Sequence, residues 1–402
     1  MISLKEIQEA TERISGLVHK TPLIHSNSFS EMTGAEVYLK AENLQKTGSF
    51  KVRGAFYKLS SLEHKRVITA SMGNHAQGVA FAATRLGMQA KIVMPLTAPI
   101  VKQEATKGYG AEVELYGTTF QEALTQALGQ KDYTFVHSFD DDKIIAGQGT
   151  IGLEVMQELR DAHAVLVPVG GGGLISGIAV AVKSVSPRTE VIGVQTTSAI
   201  SAYASFCKGT IEEFVPSCTL ADGIAVGKVG NLTLEIMKNH VDDMMTVNED
   251  SIAMAILLFM ERKKMVVEGA GAVPLAALIE NPGKFRGKKV ILIVSGGNID
   301  FTLIDRIIHK GLVRSGRIGV FDVTVDDIPG QLYILTGIIA ERHGNILAIE
   351  HDRLSSDLSV SQTRVVFTVE TRGSDHLREI ADAIRLRGFL AKEAEQKKLG
   401  QI

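Results

Sequence analysis

The sequence predicts an α/β protein in which parallel sheets carry helices on both faces, followed by a C-terminal α+β domain of βαββαβ order. Three observations predict it. Between residues 60 and 310, short β-branched runs alternate with longer helical patterns, and buried apolar strands separated by helices point to parallel sheets. Three glycine-bearing turns directly follow such runs, which is where open α/β sheets bind ligands. Beyond the short polar segment Arg314-Ser315-Gly316-Arg317 the pattern changes, and residues 318–325 alternate like a strand.

In chain order, Met1 to Ile7 starts an amphipathic helix, and its charges interrupt it before the apolar stretch of a signal peptide can develop. Strand-like runs follow at Val67–Ala70, Lys91–Met94, Ala111–Leu115, Thr134–His137, Val165–Val169, Val191–Val194 and Val290–Val294. A helix from Phe301 to Val313 closes this part, with the domain boundary expected at residue 315. In the tail, Asp326-Asp327-Ile328-Pro329-Gly330 makes a turn, and Gln331 to Arg342 reads as a helix stopped by Gly344-Asn345. Strands are expected at Asn345–Glu350 and Thr363–Glu370, and a second helix at Asp375–Arg387 with Gly388 after it. No apolar run approaches the ~20 residues that span a bilayer.

The chemistry concentrates in four segments. Lys51 follows the loop Gln45-Lys46-Thr47-Gly48 and precedes an apolar segment. An amine held in a partly desolvated cleft gives up its charge readily and condenses with an aldehyde. Ser71-Met72-Gly73-Asn74-His75 links a strand run to a helical pattern, so backbone N–H groups at the helix start are available to a carboxylate. Standing alone, the segment is also an ordinary turn and N-cap. Gly170-Gly171-Gly172-Gly173 is entered from Val165–Val167 and leaves into an Ala/Val-rich helix. Four residues without side chains let a phosphate reach the amides, and the helix adds its positive end. The spacing is neither the dinucleotide fingerprint nor a P-loop. Ser295-Gly296-Gly297-Asn298 again ends a strand run, and a serine hydroxyl there can hydrogen-bond a ring nitrogen without protonating it; standing alone, the segment is also an ordinary strand-end turn.

Taken together, K-T-G-S-F-K-V-R-G at 46–54, S-M-G-N-H-A-Q-G at 71–78, P-V-G-G-G-G-L at 168–174 and S-G-G-N at 295–298 resemble the fold-type II pyridoxal phosphate enzymes, specifically the threonine dehydratases. The resemblance implies two parallel-sheet lobes flanking a cleft, the smaller and mobile one near residues 45–145, within a catalytic core of residues 1–315. It implies Lys51 as the Schiff-base lysine and catalytic residue. It also implies Phe50, Gly170, Gly171, Gly172, Gly173 and Leu174 around the cofactor, Asn74 on the 3′ oxygen, and Ser295 on the pyridine nitrogen. Ser71, Met72, Gly73, Asn74 and His75 are implied as substrate binders. The reaction implied is β-elimination of L-threonine, and more slowly L-serine, to the 2-oxo acid and ammonia.

Two departures from related enzymes bear on that reading. Met72 stands where the resembling serine racemases have the serine that donates a proton on the opposite face, and a thioether cannot titrate. Gln195 to Ser201 lacks the acidic side chains of their metal site, so a carboxylate-held divalent ion is not expected, whereas a monovalent ion bound by backbone oxygens stays open. A β-replacement synthase of the same fold is disfavoured by Val52-Arg53-Gly54 and Gly73-Asn74-His75. A catalytically inactive sensor is disfavoured by the retention of Lys51 and Ser295.

The tail, residues 318–402, resembles an ACT or ACT-like regulatory domain through its D-x-P-G-x-L turn. Its expected effector residues are Ile328, Gly330, Gln331 and Leu332, for an amino acid or nucleotide; a dimerisation module without a ligand is the alternative. His343 and His351 read as surface or capping residues. With 402 residues, 45% of them hydrophobic, and a formal charge of −2, the chain can bury large cores and has no electrostatic bias toward nucleic acid or membrane. Cys207 and Cys218 show no C-x-x-C spacing and read as reduced structural thiols of a cytoplasmic protein. Eleven histidines include no H-E-x-x-H pair, so a catalytic zinc has no support. A homo-oligomer, dimer or tetramer, acting on a small amino acid is expected.

Overall fold

The computed structural model describes residues 2–354 and 356–393 and divides into two compact units, Met1–Asp300 and Phe301–Ile402. The helix Phe301–Arg314, assigned from sequence to the core, lies against the first strand of the second unit instead. Residues 394–402 of the expected tail domain lie outside the described residues.

In the first unit the chain opens with the helix Leu4–Ile14, started by a capping box in which Ser3 and Glu6 satisfy each other's backbone N–H groups. It then forms β1 (Leu23–His25) and β2 (Glu36–Ala41). A smaller sheet follows from β3 (Arg66–Ala70), β4 (Gln89–Met94), β5 (Glu112–Leu115) and β6 (Thr134–Phe135). The chain returns with β7 (Ala164–Pro168), β8 (Glu190–Thr196), β9 (Asp243–Val247) and β10 (Lys289–Val294). The small sheet runs β5-β4-β3-β6, all parallel; the large one runs β1-β2-β10-β7-β8-β9, parallel except for its short edge strand β1. β7 is buried throughout, and Val290 to Val294 of β10 are fully inaccessible. Helices on both faces explain why these strands read as continuous apolar runs. Each such side chain contributes about 1.5–3 kcal/mol relative to exposure.

A buried charge network fixes the helix Lys51–Ser60 to this frame. Arg53 is fully buried and bonds both oxygens of Glu42 (2.7 and 2.8 Å) and both of Glu154 (2.6 and 3.0 Å). Lys40, also fully buried, completes it at 2.6 Å from Glu154. Burial alone would push the Glu42 carboxyl up, but the charge and hydrogen bonds of Arg53 outweigh it and hold the group below the ordinary carboxylate range. Removing one partner strands an uncompensated buried charge, at a cost of about 3–5 kcal/mol.

The second unit contains β11 (Ile318–Asp326), β12 (Asn345–Asp352), β13 (Gln362–Glu370) and β14 (Leu390–Glu393), ordered β12-β13-β11-β14 and wholly antiparallel. Phe321, Val323, Val325, Val365, Phe367 and Val369 alternate onto one face and pack against Leu335, Ile338 and Ile339 of one helix and Ile380 and Ile384 of the other. This is the βαββαβ order expected for an ACT-like domain. His343 takes a left-handed conformation, φ 61°, just after the helix Gln331–Glu341. Cys207 and Cys218 are unpaired and exposed, so they are surface thiols rather than structural ones. Among the described residues no helix is long and apolar enough to cross a membrane.

Candidate active site

Lys51 opens a helix, and its backbone is held by the strand-end turn that follows β10. Ser49 pairs with Gly296 as an isolated antiparallel bridge. The Phe50 N–H donates to the Ser295 carbonyl (3.1 Å), and the Gly297 N–H to that of Gly48 (2.9 Å). Gly48 has φ +70°, and a Cβ there would stand 2.4 Å from Asn298 Oδ1, so only glycine lets the two turns approach. The Lys51 Nζ donates to the Ser138 carbonyl (3.0 Å) and lies 5.2 Å from the Phe50 ring centre. Burial of the amine lowers its pKa to about 8, against the opposing charge of Glu268. About a tenth of such an amine is neutral at pH 7, the form able to act as nucleophile or base.

The turn after β3 leads into the helix Asn74–Arg85, which starts without a side-chain cap. Among the described residues, the amides of Asn74, His75 and Ala76 donate to no protein acceptor. Ser71 Oγ instead accepts from the Gly73 N–H (3.2 Å), and Met72 packs partly buried against the apolar cluster below. The His75 ring turns inward, with Nε2 3.2 Å from the Val136 carbonyl. Burial first, and then the charge of Lys51, push its pKa down to about 3. His75 therefore offers the cleft its backbone N–H, not a titrating ring.

The glycine run after β7 forms the third wall. Gly172 has φ +94°, and the helix Gly173–Val185 follows. Sequence reasoning credits the glycines to phosphate access, but packing demands them as well. A Cβ on Gly171 would stand 2.3 Å from the Phe139 ring, one on Gly172 2.8 Å from Thr233, and one on Gly173 2.8 Å from the Phe139 carbonyl. Thr233 Oγ1 donates to the Gly171 carbonyl (2.7 Å). The amides from Gly170 to Leu174 donate to no protein acceptor among the described residues. Five free amides at a helix start make an anion cup. Leu174 contributes only its amide, since its side chain belongs to the core.

Two residues outside the four motifs complete the site. His137 Nδ1 accepts from the amides of Phe139 (3.2 Å) and Asp140 (2.8 Å), shaping the turn whose Ser138 carbonyl meets Lys51 and whose Phe139 covers the glycine run. Glu268, 4% exposed, accepts from Asn74 Nδ2 at 2.9 and 3.0 Å. Neither gives a functional sequence signal, because a lone His at the end of an apolar run or a lone Glu between elements has no motif or spacing to mark it. In the stretch Gln195–Ser201, Gln195 Oε1 accepts from the Tyr203 N–H (2.9 Å) and Ser201 Oγ donates to the Val226 carbonyl (2.6 Å).

The expected effector residues lie in the second unit. Ile328 and Leu332 are exposed, Gly330 has φ +98°, and Gln331 opens the helix with a buried, unpartnered Oε1. Arg353 hydrogen-bonds Asp327 (3.0 Å) and holds its carboxyl below the ordinary range.

A lysine amine set between strand-end turns and an anion cup defines a site for an aldehyde-bearing phosphate ester. The chain belongs to the pyridoxal-phosphate dependent enzyme family, whose profile matches residues 14–296. It is similar to the L-threonine ammonia-lyase of Thermotoga maritima, 50% identical over 396 residues, covering 97% of this chain and 98% of that one. It is 46% identical over 317 residues to the catabolic L-threonine dehydratase of Escherichia coli K12, 76% of this chain and 96% of that one. Threonine deaminase isoform 2 of Solanum lycopersicum, in its processed form, superposes with a TM-score of 0.73 at 39% identity, over 76% of this chain and 86% of that one. Pyridoxal phosphate fits the residues present: the five free amides match its phosphate and the depressed lysine its aldehyde.

Proposed function

We propose that Lys51 is the residue that holds pyridoxal phosphate covalently and moves the α proton in the dehydration and deamination of L-threonine to 2-oxobutanoate and ammonia. L-Serine is the slower substrate and gives pyruvate. The observation that carries the assignment is the Lys51 amine, lowered to about 8 and set against Ser138 between the turns. When bound, the cofactor supplies an electron-accepting ring for the charge left at the substrate's α carbon.

The chain's own residues do the rest. The amides of Gly170 to Leu174 hold the phosphate, and those of Asn74, His75 and Ala76 are free for the substrate carboxylate. Asn74 donates to the ring's 3′ oxygen. The neutral Ser295 hydroxyl meets the ring nitrogen without protonating it, so the sink stays weak and loss of the β-hydroxyl is favoured over transamination. Once freed by the incoming substrate, Lys51 takes the α proton, and the β-hydroxyl takes up a proton and departs as water. The elimination product carries its amine on a double bond, and water replaces that amine as ammonia. Met72 holds no proton for the opposite face, which disfavours racemisation.

The test has two parts. Borohydride reduction of the yellow protein should fix the cofactor on the peptide carrying Lys51, and a keto-acid assay should rank threonine above serine, with O-acetylserine yielding no replacement product. Protein that stays colourless with added pyridoxal phosphate overturns the reading. Chiral analysis of L-serine turnover should give little D-serine relative to pyruvate; substantial D-serine would refute the role given to Met72.

For the second unit, the reading is an amino-acid or nucleotide effector module using Ile328, Gly330, Gln331 and Leu332, within a cytoplasmic homo-oligomer. The supporting observations are the exposed turn and the unpartnered Gln331 Oε1. Isoleucine, valine and AMP titrations against threonine turnover test it.

A further inference from the structure

Glu268 is a buried carboxylate that the reaction above leaves unused. It immediately precedes the helix Gly269–Glu280, and its own N–H donates to the Gly296 carbonyl (3.1 Å). A Cβ on Gly296 would stand 2.4 Å from Glu268 Oε1, so the carboxylate has its place only because residue 296 lacks a side chain. Asn74 comes from the other side of the cleft, on the helix that follows β3 of the small sheet. Its amide is held at both ends: Nδ2 donates to Glu268, and Oδ1 accepts from Asn298 Nδ2 (2.8 Å). Asn298 Nδ2 also donates to the Thr47 carbonyl (2.8 Å).

The chain of bonds has a direction. A backbone carbonyl can only accept, so the Thr47 contact fixes Asn298 as donor there and Asn74 Oδ1 as acceptor. The Asn74 NH2 group is thereby turned toward Glu268. An amide free to flip would present its oxygen to the ring's 3′ oxygen as readily as its nitrogen, and two acceptors repel. Nδ2 carries two protons, enough for Glu268 and for one more acceptor.

We propose that Glu268 is a positioning residue that reaches across the cleft and fixes the Asn74 amide as a donor toward the 3′ oxygen of bound pyridoxal phosphate. The inference rests on the assignment of Asn74 to that oxygen. The charged groups facing Glu268 are Lys51, and the Lys102–Asp222 pair at 2.9 Å. Burial raises the carboxyl's pKa to about 7, and the Asn74 bond opposes the rise, as expected where that bond is made to the charged form.

A double-mutant cycle on the holoenzyme tests the coupling. Wild type, Glu268→Ala, Asn74→Ala and the double variant are dialysed to equilibrium against decreasing pyridoxal phosphate, with the bound chromophore read by absorbance. Both single variants should retain the cofactor about tenfold less tightly and show the same change in band position. The double variant should be no worse than Asn74→Ala alone. Glu268→Gln, which keeps an acceptor oxygen for Nδ2, should stay within about threefold of wild type. If Glu268→Ala folds poorly, Glu268→Asp withdraws the carboxylate by one methylene and is read in the same way. Independent losses that add in the double variant, or wild-type affinity and spectrum in Glu268→Ala, overturn the inference. Wild-type affinity in Asn74→Ala overturns it too, by removing Asn74 as the partner. In all these cases the borohydride label on Lys51 reports separately whether the cofactor reading stands.

Discussion

Two turns in this molecule look alike from their backbones and differ in what surrounds them. Each leads from a strand into a helix through a left-handed glycine: Gly172 at φ +94° after β7, and Gly330 at φ +98° after β11. Around the first, protein atoms leave no room for a Cβ, with Phe139 and Thr233 pressed against the run; around Gly330 a Cβ would meet nothing within 4 Å. A helix start supplies free amides in both places, but only the first holds them in a shape that tertiary contacts impose from several elements. An anion site that must bind without reorganising needs that enclosure. The effector role proposed for the second turn rests on an open, exposed segment instead.

The sharpest way to break the contrast is at Lys51. Lys51→Ala should lower threonine turnover by about 10⁴-fold or more, because one amine serves both attachment and proton transfer; a steady-state assay showing a loss under tenfold would move the chemistry elsewhere. Next in size is the pH dependence. Attachment of the cofactor needs the neutral amine, so its rate should climb about tenfold per pH unit from pH 6 and level off above about 8, where burial has placed the Lys51 pKa. Stopped-flow absorbance on mixing apoprotein with pyridoxal phosphate reads this directly, and a rate still climbing steeply past pH 9 would mean an ordinary lysine near 10.5.

The glycines give a matched pair. Gly171→Ala overpacks against Phe139, which should cost about 1–3 kcal/mol in denaturant unfolding and weaken cofactor retention about tenfold. Gly330→Ala meets open space and should cost only the strain of the left-handed backbone, about 1–2 kcal/mol. Equal effects of the two on cofactor retention would erase the distinction. The smallest change is expected from truncation after Asp300, where the compact units divide. The shortened protein should remain yellow, with turnover within about twofold, and any response to isoleucine, valine or AMP should vanish, since an effector acts only by binding two states differently. An effector that acts equally on both lengths would remove the regulatory reading of the tail.

The alternation of apolar runs and the strand-end glycines were legible because they are local: fully buried parallel strands must be continuously apolar, and a turn that needs glycine says so at its own position. Thus β3, β4, β7, β8 and β10 fall within a residue or two of their expected limits, and the three glycine-bearing motifs stand at strand ends as read, with Lys51 after a loop. Short or polar strands escaped. β1, β2 and β9 carry no readable pattern, and Thr134–His137 shortens to the two residues of β6, because a brief strand is made by its neighbours' hydrogen bonds more than by its own pattern. The helix Phe301–Arg314 is legible as a helix, but its pattern does not say which unit it joins, since amphipathicity tells that a face is covered and not by what.

The sequence by itself determined the alternation of buried parallel strands with helices, the cofactor class, and the residue types of the site: a lysine opening a helix, and glycine turns and a neutral hydroxyl at strand ends. Only the tertiary structure decided that the His75 ring turns away to the Val136 carbonyl, that Phe139 and Thr233 force the glycine run, and that Glu268 meets Asn74 across 194 residues of chain. Those depend on which side chains become neighbours after the lobes fold. Distance in space between residues remote in the chain leaves no periodic or compositional trace in either segment, so burial and hydrogen-bond partnership had to be read from the folded molecule.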